Sequence, residues 1–100
     1  MGSKAVIDAD ILGWGNDVPE LKEKYSDVIP VGSIVELPQE SRDERIGAYC
    51  YENGCDLFTG DQTAYVKFFK DARIKSVIIT KWGIDTKAKK LVYRIQIIQT

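Results

Sequence analysis

The chain has 100 residues, with 14 Lys plus Arg against 15 Asp plus Glu, a net charge of -1, no His, 44% apolar side chains and 10% aromatics. That balance fits one folded domain over 1–100 and excludes disordered, collagenous and coiled-coil chains, because a chain this short buries about 60 to 65% of its unfolded surface, enough for one core and not two. The missing imidazole excludes Ser-His-Asp and Cys-His catalysis, and apolar runs such as Val77-Ile78-Ile79 fall far short of the roughly 18 residues a membrane span needs.

In chain order, Ala5-Val6-Ile7 reads as a buried parallel strand that ends in Asp8. Val18 to Tyr25, with Pro19 at a helix-start position, reads as a short helix, and Val28-Ile29-Pro30-Val31 as an edge strand that tolerates Pro30. Ser41-Arg42-Asp43-Glu44 spells a capping box, with Ser41 at the N-cap. The helix it opens carries Ile46, Tyr49 and Cys50 on one face and stops at Asn53-Gly54. Asp56-Leu57-Phe58-Thr59 is a third strand, and Asp61 then opens a helix with Ala64, Tyr65, Phe68 and Phe69 as its core stripe. Ile74 to Lys81 and Leu91 to Ile98 are β-branched strands, joined as an antiparallel hairpin because Gly83 to Lys90 has no apolar helical face. Trp82 reads as a half-buried residue of that edge, with a base-stacking surface at Trp82-Gly83 as the alternative. The pattern predicts an α/β fold, a mostly parallel sheet of five strands in the order 2-1-3-4-5 with the hairpin at its carboxyl-terminal edge.

Met1 to Lys4 passes into the first strand without the apolar stretch of a signal peptide, which sets the expectation of a cytoplasmic chain. Cys50 and Cys55 alone lack half the ligands of a tetrahedral zinc site and read as partly buried thiols. Charge is unevenly placed: residues 1–65 carry 13 acids and 5 bases, whereas 66–100 carry 9 bases and 2 acids. An acidic pocket beside a basic landing surface suits a polyanionic substrate, although ordinary solvated lysines fit the same split. Lys67, Lys70, Lys81 and Arg94 are the candidates for phosphate-backbone contact.

Ligands of open parallel sheets bind beyond the carboxyl ends of the strands, where the strand order reverses. Asp8 ends the first strand and Asp61 follows the third. Asp43 and Glu44 open the helix entered from the second strand, and Asp10 and Glu36 lean over the same edge. Crowding carboxylates is costly, since two charges about 4 Å apart repel by about 4 kcal/mol at an effective dielectric near 20. Oxygen ligands without His or Cys suit a hard cation, Mg2+ or Mn2+, and thereby metal-assisted hydrolysis of a phosphodiester. Structural roles stand beside this one: Asp61 as an N-cap, Glu44 as a capping-box partner and Asp43 as a first-turn acid. Asp8, directly after Val6-Ile7, is the hardest to explain in that way.

The segment Ala5-Val6-Ile7-Asp8-Ala9-Asp10-Ile11-Leu12 resembles the opening of PIN and PIN-like domains of the toxin type. Asp43 to Asp61, an acid-led helix, a Gly-containing turn and a strand ending in Thr59-Gly60-Asp61, is similar to a later part of that family, in the correct order over about 60 residues. The resemblance implies a three-layer PIN-like domain and an Mg2+ or Mn2+ dependent ribonuclease. It implies Asp8, Asp43 and Asp61 as metal ligands, Glu44 as the alternative to Asp43, Thr59 as a supporting hydroxyl, and Asp10 at the family's Asn or Ser position. RNA is the implied substrate, and an antitoxin, another protein or a second copy of the chain the implied partner. Two other readings remain open. Asp8-x-Asp10 also resembles the nucleophile motif of haloacid-dehalogenase-type phosphatases, with receiver-like domains sharing the acidic pocket. A catalytically inactive PIN-like module that binds protein would keep the same acids as caps.

Overall fold

The computed structural model describes residues 4–61, 74–86 and 89–99. Strand β1 (Lys4–Ile7) leads through a 3-10 turn (Ala9–Ile11) into α1 (Leu12–Asp17) and α2 (Pro19–Lys24). Then follow β2 (Asp27–Pro30), α3 (Asp43–Asn53), β3 (Cys55–Thr59), β4 (Ile74–Asp85) and β5 (Lys90–Gln99). The 3-10 turn and α1 are absent from the sequence reading. Their apolar positions, Ile11 and Trp14, are both buried, but Gly13 and Gly15 lower the local helix propensity and hide the period. The helix expected after Asp61, with Lys67 and Lys70, lies outside the described residues.

The five strands form one sheet in the order β2-β1-β3-β5-β4. β1 pairs in parallel with β2 and β3, β5 runs antiparallel to β3, and β4 runs antiparallel to β5. The mixed α/β sheet, the edge position of β2 with Pro30 and the terminal hairpin follow the sequence reading. The expected order 2-1-3-4-5 does not hold, because the two hairpin strands exchange places. The reason is burial: Val92 and Ile95 of β5 are both 0% exposed, whereas Ile78, Ile79 and Ile84 of β4 are 48%, 41% and 59% exposed. A central strand must be apolar on both faces, and only β5 meets that demand.

Helices cover both faces of the sheet. On one, Ile46 and Cys50 of α3 pack with Val6, Leu57 and Ile95. On the other, Ile11, Trp14 and Leu21 pack with Ala5, Ile7, Phe58 and Val92. The strand alternation assigns these residues: Val6 and Leu57 face α3, Ile7 and Phe58 the opposite side. Asp8 and Thr59 therefore fall on the α3 side of their strand ends. α3 is not closed by the expected capping box. Its N-cap is Arg42, with no side-chain capping bond, because Ser41 turns back and donates its Oγ hydroxyl to the Pro38 carbonyl at 2.6 Å. The other end matches the reading: Gly54 adopts φ 65 as the left-handed cap, a conformation that favours glycine.

Phe58 is the hub of the second core, edge-on to Tyr25 and to Trp82 at centroid distances of 5.8 and 5.2 Å. Trp82 is also flanked by two cations, Lys24 Nζ at 4.7 Å and the Arg94 guanidinium at 4.8 Å from its ring centroid. Beneath this cluster lies a buried carboxylate, Asp56, 5% exposed, which accepts a hydrogen bond from the Tyr25 hydroxyl at 2.7 Å. Burial, and then the bonded Asp56, push the Tyr25 phenol up to about 12, with the Arg94 guanidinium pulling the other way. The phenol thus stays protonated and donating at any ordinary pH. Tyr25→Phe removes that donor from a buried acceptor and is expected to cost about 1–3 kcal/mol. Urea denaturation at neutral pH checks it, and an unchanged midpoint would show that Asp56 does not need the phenol.

Candidate functional site

Two parallel strands, β1 and β3, end side by side, and the residues that follow each of them are polar. Asp8 follows β1 directly. Its backbone N–H still continues the ladder, donating to the Phe58 carbonyl at 2.9 Å, so its position is fixed by the sheet. The side chain is only 9% exposed. One carboxylate oxygen, Oδ1, accepts the Ala9 N–H at 2.7 Å and caps the 3-10 turn. The other, Oδ2, accepts the Thr59 hydroxyl at 2.8 Å, a contact between residues 51 apart in sequence. Thr59 Oγ1 in turn accepts the Asp61 backbone N–H at 3.1 Å. A single fully buried hydroxyl therefore joins the acid at the end of β1 to the segment carrying the acid after β3.

The 3-10 turn swings Asp10 over the same strand ends. Its Oδ1 accepts the Gly60 N–H at 3.4 Å, and its Oδ2 lies 3.6 Å from Lys90 Nζ. Gly60 leaves room for this approach, since a Cβ there would stand 2.8 Å from Asp10 Oδ2 and the carboxylate would have to shift. Burial and then the neighbouring Asp8 charge hold the Asp10 carboxyl above its ordinary value, against the pull of the Gly60 N–H and Lys90. Asp8 and Asp10 thus repel each other, with the Gly60 N–H and Lys90 acting against that repulsion at Asp10.

The remaining sequence candidates are placed as follows. Asp43 is the first residue of α3. This helix, about 16 Å long at 1.5 Å per residue, runs directly into the start of β3, so its N-terminus lies at the carboxyl-end edge of the sheet with Asp8. Glu44 is exposed and lines a cleft with Pro38, Ser41, Arg42 and Arg45. Glu36 lines the groove between β2 and α3, and its carbonyl accepts the Arg45 Nε–H at 2.9 Å. Lys81 is exposed on β4, while Arg94 turns onto the Trp82 ring. Among the described residues no three carboxylate or thiolate side chains close around one point. The donors at the strand ends are oxygen only, however, and Mg2+ commonly binds through one or two carboxylates with water and substrate phosphate completing its shell. Asp8 and Asp10 are the carboxylates of this edge, and both oxygens of Asp8 already accept protein donors.

The cysteines do not contribute. Both are free and buried, and burial pushes the Cys50 thiol well above its usual range and raises Cys55, which leaves little thiolate for metal or nucleophilic work. The sequence reading missed Lys90 as a member of the site. Its signal is topological: a hairpin whose first strand runs parallel to β3 turns at the carboxyl-end edge, which brings its basic base to the acids. Comparisons with protein-family models, curated proteins and solved structures give no match.

Thr59→Val removes the hydroxyl from between Asp8 and Asp61 and is expected to destabilise the protein by about 1–3 kcal/mol; unchanged thermal unfolding would contradict the bridging role. Asp10 gives a signed pH effect. With the folded-state value raised, its contribution to stability is complete below the unfolded value and is lost as pH rises through the folded one. Asp10→Asn is therefore expected to melt above the wild type in EDTA at pH about 7, with the gap closing below about pH 4. A lower melting temperature for the variant at neutral pH would reverse the assignment.

Proposed function

We propose that the protein is a PIN-like, Mg2+ or Mn2+ dependent ribonuclease whose site lies at the carboxyl ends of β1 and β3. The observation that supports it is the Asp8–Thr59–Asp61 connection, with Asp10 brought beside Asp8 against Gly60. The turn after β1 and the backbone after β3 are tied together at the sheet edge where α/β folds bind ligands.

Within this reading Asp8 and Asp10 hold the ion, with Asp61 and Asp43 as further ligands of the same edge and Glu44 as the alternative to Asp43. Such an ion, when bound, supplies Lewis-acid polarisation of the phosphate and lowers the pKa of an attacking water. Thr59 orients Asp8, so that its carboxylate meets the ion without rotational search. The RNA backbone is met by the basic carboxyl-terminal third, with Lys67, Lys70 and Lys81 as contacts. Arg94, whose guanidinium stacks on Trp82, serves that surface from behind. An antitoxin-like protein or a second copy of the chain is the partner this reading allows.

A second reading is favoured by one contact. Asp8-x-Asp10 with Lys90 paired to Asp10 also fits a phosphomonoesterase in which Asp8 attacks phosphorus and Asp10 acts as acid and base. Labelled single-stranded RNA incubated with the purified protein separates the two. Cleavage is expected with Mn2+ and not with EDTA. Asp8→Asn is expected to reduce it by more than the about 100-fold that loss of a supporting group costs a metal site. Intact RNA in Mn2+, together with hydrolysis of a small phosphomonoester, would replace the first reading by the second.

A further inference from the structure

Trp82 is the residue that the sheet register skips. Lys81 pairs with Tyr93 and Gly83 with Val92, which makes Trp82 the extra residue of a β-bulge, a device that re-aims a side chain and recurs beside functional sites. The indole packs on the second core, edge-on to Phe58, yet the residue is only half-buried. Two cations lie over its ring, Lys24 Nζ at 4.7 Å and the Arg94 guanidinium at 4.8 Å from the centroid. They differ in character. Arg94 Nε is buried, with no hydrogen-bond partner among the described residues, so that guanidinium belongs to the interior. Lys24 is exposed at the end of α2.

The flank of the indole is open. A Cβ on Gly83 would meet nothing within 4 Å beyond its chain neighbours, and the backbone there lies outside the left-handed region. Neither crowding nor conformation calls for glycine at this position. Trp82 and Gly83 also line a cleft with Lys81, Ile84 and Leu91, and the last two are 59% and 37% exposed. An aromatic ring with apolar neighbours and ammonium groups at its rim is a surface on which an unpaired base stacks while its phosphates meet cations. The strand register sets its distance from the candidate site. Thr59 pairs with Tyr93, and Tyr93 with Lys81, so the bulge begins two strand spacings, about 10 Å, from the end of β3.

We propose that Trp82 is a stacking platform for one base of a single-stranded nucleic acid, with Lys24 and Lys81 meeting the adjoining phosphates. With RNA as the strand, which rests on the ribonuclease reading above, the platform selects unpaired segments, because a base stacked inside a duplex has no face to offer.

Fluorescence anisotropy of an end-labelled oligouridylate tests it with the full chain in EDTA, against an abasic strand of equal length and against the same strand paired with oligoadenylate. The wild type is expected to bind the intact single strand about tenfold more tightly than the abasic one, and more tightly than the duplex. Lys24→Met is expected to weaken intact and abasic strands alike and to flatten the salt dependence by about one phosphate contact. Gly83→Val fills the open flank with a residue suited to a strand. It is expected to melt near the wild-type temperature and to lose the preference for the intact strand. Equal binding of intact and abasic strands by the wild type, duplex bound as tightly as single strand, or a preference unchanged in Gly83→Val overturns the platform. Cleavage of the same oligouridylate in Mn2+ reads the ribonuclease separately. Cleavage without any preference for bases overturns the platform alone, and base-dependent binding without cleavage overturns the ribonuclease reading alone.

Discussion

A buried carboxylate at the end of a parallel strand is the constraint around which the carboxyl-end edge of this molecule is arranged. Asp8 cannot leave, because its own N–H belongs to the β1–β3 ladder, and it is not left bare, because Thr59 and Ala9 donate to its two oxygens. Desolvating a charge is costly unless hydrogen bonds or a counter-charge offset it. The neighbouring features follow from that demand. Thr59 is fully buried against Asp8, Asp10 accepts the Gly60 N–H just after β3, and the hairpin places Lys90 beside Asp10.

Asp56 and Asp85 are also buried carboxylates, and the contrast with Asp56 is instructive. Asp56 lies on the opposite face, in the interior of β3, with the Tyr25 phenol bonded to it and the Arg94 guanidinium close by. That cluster is roofed by Trp82 and Phe58 and is built from neutral and cationic partners inside the fold. It reads as a structural network. The edge site has the opposite character: two carboxylates in mutual repulsion, one pushed above its ordinary range, and a cation on a solvent-exposed arm. The Asp56 network is closed in by the core, although the buried Arg94 Nε has no hydrogen-bond partner among the described residues, whereas the edge pair is open to solvent through Lys90.

Much of the sheet was legible in the residues. Val6-Ile7 before Asp8, Pro30 on an edge, Asn53-Gly54 as a helix stop and the β-branched hairpin each carry a local signal that the structure repeats. The order of the hairpin strands was not legible by adjacency in sequence, since either strand of a hairpin can pair with β3. What decides it is the burial of Val92 and Ile95, a tertiary demand that competes with the simple neighbour rule. Ser41 spelled a capping box, but Pro38 three residues earlier offers its carbonyl first, and a local turn wins over the cap. Of the site, Asp8 was legible as the acid directly after an apolar strand, and Thr59-x-Asp61 as its counterpart. The Lys90 contact was visible only as a charge split along the chain, because no local pattern says which lysine of a basic hairpin meets which acid.

The proposed activity requires a divalent cation at the ends of β1 and β3. Anomalous diffraction from crystals grown with Mn2+ answers this directly. A single strong peak is expected within coordinating distance of the Asp8 and Asp10 carboxylates. No peak at that edge in crystals equilibrated with Mn2+ would contradict a metal site there.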